Sequence, residues 1–245
     1  MGKGNAAHNR CGHNNDMTRP FIWIATLFLV LTGCGEDVTR EKHARILLMG
    51  DSLMAVHHGQ GQAVSNSVEK QLGEQVIDRS VVGARMIYAL PISGAAGLNI
   101  PKQYRPGKWD WVILNGGGND LWLGCGCFAC RGKMERLISE DGRKGVIPGL
   151  VSKLRHDGAK VLYVGYLRSP GLGSPIEYCK DEGNEFESRV KELAGLDAGV
   201  HFLSLADLVP HGDRTYHAVD MIHPSVKAST EIGKRIAAVI GKPPN

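Results

Sequence analysis

Two segments near opposite ends of the chain carry side chains that could make and break an ester bond. Met49-Gly50-Asp51-Ser52-Leu53 closes a short apolar run, Ala44 to Met49, and precedes Val64, Val68 and Leu72 at helical spacing. Ser52 therefore falls at the carboxyl end of a strand and just before a helix, in the crevice where open α/β sheets place their ligands. Gly-Asp-Ser is also common turn and helix-capping chemistry, so this segment alone leaves both readings open. The second segment is Asp220-Met221-Ile222-His223-Pro224. A nucleophilic serine needs an adjacent base, and His223 would take the Ser52 proton and later deliver it to a leaving alcohol. Three residues away on one tight turn, Asp220 can reach the imidazole nitrogen facing away from the serine and hold the needed tautomer.

Two further segments lie between these. The second apolar run ends in Val81-Val82-Gly83-Ala84-Arg85 and the third in Asn115-Gly116-Gly117-Gly118-Asn119-Asp120. The four segments, in this order and at these strand ends, resemble the SGNH hydrolases, also called the GDSL esterase/lipase family, over Arg45 to Lys242. The resemblance implies an α/β chain with a three-layer α/β/α, flavodoxin-like fold around a five-stranded parallel sheet. It also implies an oxyanion hole made by the backbone N–H groups of Ser52 and Gly83 and the side-chain amide of Asn119. A glycine lets the backbone approach closely and an asparagine supplies a neutral donor. The activity so implied is hydrolysis of a carboxylic ester through an acyl-Ser52 intermediate. The same machinery could transfer the acyl group to another alcohol or remove O-acetyl groups from an envelope polysaccharide. A non-catalytic envelope binding protein on the same scaffold is the reading from another class.

Other polar residues near these segments take structural assignments. Asp51 and Asp120 are read as hydrogen-bonding neighbouring loops, since buried strand-end carboxylates need backbone partners. His57 and His58 are placed on the first turn of the following helix, and these two and His217 are read as surface or structural histidines. Trp122 is either core or a pocket wall. The Gly-x-Ser-x-Gly elbow of α/β-hydrolases, which share the Ser…Asp…His order, does not occur in the chain.

The elements that must position these residues are legible as alternating apolar runs and helical patterns, the mark of a parallel sheet wrapped by helices. Strands are expected near 45–49, 76–82, 110–115, 160–166 and 200–204. Ile46-Leu47-Leu48, Val112-Ile113-Leu114 and Val161-Leu162-Tyr163-Val164 are continuous, as strands covered on both faces should be. Helices are expected around 60–72 and 146–157, closed by Gly73 and Gly158, near 184–195, and after Ser225 at the end of the chain. Tyr88 to Lys108 and Leu121 to Arg143 lack this regularity and read as long loops on the ligand side of the sheet.

At 245 residues with 42% hydrophobic content the chain can bury one substantial core. A formal charge of +4 without any Lys/Arg block gives no sign of a nucleic-acid footprint and favours a small or neutral substrate, which the family resemblance implies is a small-molecule, lipid or polysaccharide ester. Residues 1–33 read as a signal peptide, with 1–16 as an upstream start-site artefact before Met17. Arg19 precedes a 12-residue apolar run, Phe21 to Thr32, too short to span a bilayer. The run ends in Leu31-Thr32-Gly33-Cys34, which looks like a bacterial lipobox, so Cys34 is expected to be acylated and 34–43 to form a polar tether to a domain over 44–245. Removing the leader takes away Lys3, Arg10, Arg19 and Asp16 and lowers the formal charge from +4 to +2. The expected place is the bacterial cell envelope, anchored by lipid and facing the periplasm. Gly35 after the lipidated cysteine favours the outer membrane.

Of the remaining cysteines, Cys125, Cys127, Cys130 and Cys179 fall in the exported domain, where an even count reads as two disulfides. Bridging Cys125 to Cys127 is awkward, so one bridge within the cluster and one from the cluster to Cys179 are expected. A four-cysteine zinc site is the alternative. No Walker loop or complete dinucleotide fingerprint occurs, so no cofactor and no metal are implied.

Overall fold

The computed structural model describes residues 44–171 and 173–241; the expected signal peptide, Cys34 and the whole of the expected tether over 34–43 lie outside the described residues. Five strands, β1 (Ile46–Met49), β2 (Val76–Asp78), β3 (Trp111–Leu114), β4 (Lys160–Val164) and β5 (Val200–Leu203), form one sheet in the order β2-β1-β3-β4-β5. Every neighbouring pair is parallel. This is the flavodoxin-like order. The connection from β1 goes to one side, to β2, and the chain then returns to the other side of β1 as β3. A crevice therefore opens beyond the carboxyl ends of β1 and β3, which pair in register from Ile46↔Trp111 to Met49↔Leu114. Ser52 follows the first of these strands and Asn119 the second.

The continuous apolar runs are explained by two cores, one on each face. Leu47, Met49, Val112, Leu114, Val161 and Tyr163 point to one face. Helices α5 (Val146–His156) and α6 (Lys180–Gly195) cover them with Ile147, Leu150, Leu154, Phe186 and Val190. Ile46, Leu48, Ile113, Leu162 and Val164 point to the other, under α2 (Val64–Leu72) and α7 (Val226–Ile240). Alternation along each strand thus buries every residue of β1 and β3, with apolar burial contributing roughly 25 cal/mol per Å². Gly73, at φ +72°, closes α2 in the left-handed conformation that its sequence position suggested. Ser225 caps α7 by accepting the N–H of Ala228 at 3.2 Å.

Several local expectations are corrected. The second strand ends at Asp78 rather than 82, because the Asp78 carboxylate accepts both the N–H and the hydroxyl of Ser80. The chain nonetheless keeps beside β1, with Arg79 N–H on Leu48 O and Val81 N–H on Gly50 O. His57 and His58 are not on the first turn of the next helix. The helix after β1, α1 (Ser52–Ala55), ends before them; His57 is left-handed at φ +75° and His58 opens a 3-10 turn ahead of α2.

Both supposedly irregular loops contain helices. Residues 121–143 include most of α3 (Gly118–Cys125) and all of α4 (Arg131–Leu137), joined by the Cys125–Cys130 disulfide. Covalent closure holds segments too short and glycine-broken to show helical periodicity. The second disulfide, Cys127–Cys179, ties this region to the start of α6. With these sulfurs paired, no thiolate of the four remains to ligate zinc. The stretch 88–108 forms short helical turns and delivers Gln103, 1% exposed, beneath the Gly50–Ser52 turn. Its side-chain amide accepts from Gly50 N at 2.8 Å and donates to Gly50 O at 2.9 Å.

Candidate active site

Ser52 begins α1, where amide N–H groups have no partner within the helix. Asp51 is the N-cap and its Oδ1 accepts the N–H of Leu53 at 3.0 Å. The Ser52 hydroxyl forms no hydrogen bond with the described residues and faces a cavity of about 480 Å³. Asn119 and His223 line the same cavity, together with Tyr166, Trp122 and Phe186. Gly83 and Asp220 stand outside its wall.

Asp220 supports His223 from behind. Its Oδ2 is 2.6 Å from His223 Nδ1, and its Oδ1 accepts the N–H groups of Ile222 and His223, each at 3.0 Å. The carboxylate can only accept, so Nδ1 carries the proton and Nε2 is left as the basic nitrogen. Burial pushes the Asp220 pKa up, but the His223 ring and the two N–H groups outweigh it and bring it down to about 2. The turn is stitched by Ala218 N–H on His223 O at 2.8 Å and Ser225 N–H on Tyr216 O at 2.9 Å. His57 Nε2 lies 3.0 Å from the Pro224 carbonyl, to which it must donate, linking the turn after α1 to the His223 loop.

The expected oxyanion donors Gly83 and Asn119 sit on two loops held together. Asn119 Nδ2 donates to Ala84 O at 3.0 Å, which uses one of its two hydrogens and leaves the other for the cavity. Asp120, 1% exposed, accepts from Met86 N and Ile87 N, both at 2.8 Å. Burial raises its pKa and those two N–H groups oppose the rise. Gly83 adopts φ +79° in the turn closed by Ala84 N–H on Val81 O, and its own N–H is bonded to none of the described residues. The glycine run before Asn119 is dictated by packing. Gly117, at φ +102°, would carry a Cβ 2.5 Å from the Phe186 ring, and a Cβ on Gly118 would lie 2.7 Å from the Tyr166 ring.

The remaining histidines take structural places. His58 pairs with Asp78 at 2.7 Å, and the hydrogen bond to that carboxylate raises its pKa. His217 is 5% exposed and burial lowers its pKa. Trp122 is a cavity wall, its indole N–H donating to Tyr178 OH at 3.0 Å, and Cys127 and Cys179 line the cavity beside it.

Sequence reasoning missed Tyr166. Its hydroxyl donates to Asp51 Oδ2 at 2.5 Å and accepts from Gly118 N at 2.9 Å. Asp51 is 1% exposed; burial pushes its pKa up to about 6, against the Tyr166 and Leu53 hydrogen bonds, with Asp120 raising and His223 lowering it further. A tyrosine two residues past a strand carries no signal of such contacts.

Comparison with known proteins agrees with this architecture. Residues 48–229 match the GDSL-like lipase/acylhydrolase family. No curated protein matches the chain. Among solved structures, similarity extends to a candidate SGNH hydrolase from Slackia heliotrinireducens, at 18% identity and a TM-score of 0.57, covering 80% of this chain and 98% of that one. TesA is similar at 20% identity and a TM-score of 0.56, covering 80% and 97%. Est24, a carbohydrate acetylesterase from Sinorhizobium meliloti, is similar at 20% identity and a TM-score of 0.50, with coverage of 80% and 97%.

Proposed function

The chain belongs to the GDSL-like lipase/acylhydrolase family, and on that premise we propose that it is a serine esterase cleaving carboxylic esters through an acyl-Ser52 intermediate. The observation that carries this reading is the meeting of Ser52, Asn119 and His223 on one cavity, with Asp220 2.6 Å behind the imidazole. In the reaction so read, Ser52 Oγ attacks the ester carbonyl while His223 Nε2 takes its proton, and the imidazolium is stabilised by Asp220. The negative charge on the carbonyl oxygen is received by the N–H groups of Ser52 and Gly83 and by Asn119. His223 then protonates the departing alkoxide. Water, deprotonated by the same nitrogen, attacks the acyl-enzyme and releases the acid and the free serine.

The cavity, with Trp122, Phe186 and Tyr166 in its wall, is large enough for more than an acetyl group. The lipobox-like Leu31-Thr32-Gly33-Cys34 supports a lipid-anchored form in the bacterial envelope, and metabolic labelling with a fatty acid, lost in Cys34→Ser, tests it. For the chemistry, the decisive experiment is mass spectrometry after treatment with a fluorophosphonate. One adduct on Ser52, absent in Ser52→Ala, is expected; an unmodified wild-type protein at neutral pH defeats the reading.

A further inference from the structure

We infer that the Tyr166 hydroxyl is a positioning group that couples the nucleophile to the oxyanion donors, acting through the Asp51 carboxylate. The inference rests on ester hydrolysis at Ser52 as proposed above. Tyr166 lies two residues beyond β4, and one oxygen atom makes both of its side-chain hydrogen bonds. An amide N–H can only donate, so Gly118 N must be the donor, and the phenol proton goes to Asp51. On one side, Asp51 caps the helix that Ser52 opens, and its other oxygen holds Leu53 N. On the other side, Gly118 is the first residue of α3 and Asn119 is the second. The phenol therefore bridges two loops that leave different strands, one bearing the nucleophile and one bearing the amide donor.

The surroundings hold Tyr166 in this bridge. Its backbone N–H is on Glu187 Oε1 at 3.2 Å, and Glu187 Oε2 accepts from Ser204 Oγ at 2.9 Å and pairs with Arg168 at 3.1 Å. The ring seats against Gly118, where a Cβ would strike it. A phenylalanine would fill the ring space equally well, so packing alone does not call for the hydroxyl. The groups bearing on Asp51 are Tyr166, the Leu53 N–H, Tyr163, Asp120 and His223. A neutral Asp51 is a weaker acceptor for the phenol, so the bridge is tightest when Asp51 is ionised. Because the Tyr166 hydrogen bond favours that ionised form, removing the hydroxyl raises the Asp51 pKa further.

The test compares wild type, Y166F, D51N and the double variant with a short-chain nitrophenyl ester, measuring kcat and KM between pH 5 and 9 and checking folding by circular dichroism. Y166F is expected to lose roughly tenfold in kcat with KM unchanged, the scale of one hydrogen bond to a charged group. The acid limb of its kcat profile should move to higher pH. D51N should lack the Asp51 contribution to that limb, and adding Y166F to it should cost little more. If Y166F folds poorly, D51N alone must show the kcat loss at constant KM. A Y166F enzyme with wild-type kcat and pH profile, losses in KM alone, losses that multiply in the double variant, or a D51N enzyme with wild-type kcat would each overturn the inference. Wild-type protein without ester turnover, indistinguishable from S52A, defeats the proposed function instead.

Discussion

Asp220 and His223 face each other across a single turn, Oδ2 to Nδ1 at 2.6 Å, while the second carboxylate oxygen takes the N–H groups of residues 222 and 223. The carboxylate is therefore fixed by the same backbone that carries the imidazole. Asp220→Asn keeps the size but removes the charge that stabilises an imidazolium, and it lets the ring adopt the wrong tautomer. The expected loss in kcat is about three to four orders of magnitude, as for triads of this type. Because Asp220 is held at about 2, its carboxylate stays ionised as pH falls from neutrality through 4. The acid limb of activity should therefore not report Asp220. A pH–rate profile whose acid limb vanishes in an active Asp220→Asn enzyme would contradict that assignment.

Ser52→Ala should abolish turnover, and Asn119→Ala should lower kcat roughly a hundred- to a thousandfold, the range for loss of one oxyanion donor. Asn119 also holds Ala84 O at 3.0 Å, so its removal loosens the Gly83 turn and should cost on the order of 1 kcal/mol of stability. Steady-state kinetics paired with urea unfolding separates the two effects. Equal kcat in wild type and Asn119→Ala would remove Asn119 from the oxyanion hole.

How much of this was legible depends on the distance over which residues signal one another. β1, β3 and β4 show themselves through runs such as Ile46-Leu47-Leu48, because strands buried on both faces leave no polar alternation to misread. Asp220 and His223 are close in sequence, so one turn's geometry connects them. Tyr166 and Asp51 are 115 residues apart, and no local pattern marks a tyrosine that bonds a distant carboxylate. The same holds for Gln103, whose amide brackets Gly50 from 53 residues away. The helices α3 and α4 were hidden for another reason. Their glycines and cysteines break the apolar period, and cross-links supply the order that periodicity would otherwise advertise.

The Cys127–Cys179 bridge should matter to both stability and substrate binding. It closes a loop of 52 residues in sequence separation, for which chain-entropy arguments give roughly 4 kcal/mol. Both cysteines line the cavity, and the Trp122–Tyr178 hydrogen bond spans the same junction. Replacing both with serine should lower Tm by about 5–15 °C and raise KM severalfold while leaving kcat nearly unchanged, since the hydrogen bonds that fix Asp220 and His223 involve neither cysteine. Differential scanning calorimetry and ester kinetics would check this. A large fall in kcat at constant KM would show that the bridge supports the chemistry rather than the cavity wall.

The buried Asp51 should make the protein less stable as pH rises through the mildly acidic range. Its pKa is raised from 3.8 to about 6 on folding, chiefly by burial. A group whose folded pKa is raised contributes stability that is fully present below its unfolded pKa and is lost as pH climbs through the folded value. For Asp51 that window runs from about 4 to about 6, and the two-unit shift corresponds to something on the order of 3 kcal/mol. Asp51→Asn has no charge to desolvate, and its single amide oxygen replaces only one of the two carboxylate oxygens that accept from Tyr166 and Leu53 N–H, a loss of about 1 kcal/mol that is smaller than the cost of the charge. It should unfold at a higher temperature than wild type at pH 7, with the difference shrinking toward pH 4. Thermal unfolding across that range is the measurement, and an Asp51→Asn protein less stable than wild type at pH 7 would mean that the ionised carboxylate is better compensated than its burial suggests. The expected gain in stability comes with the loss of kcat argued for the Tyr166 bridge. A charge that costs folding energy would then persist at the foot of Ser52 because ionised Asp51 is the stronger acceptor for the phenol that ties Ser52 to Asn119.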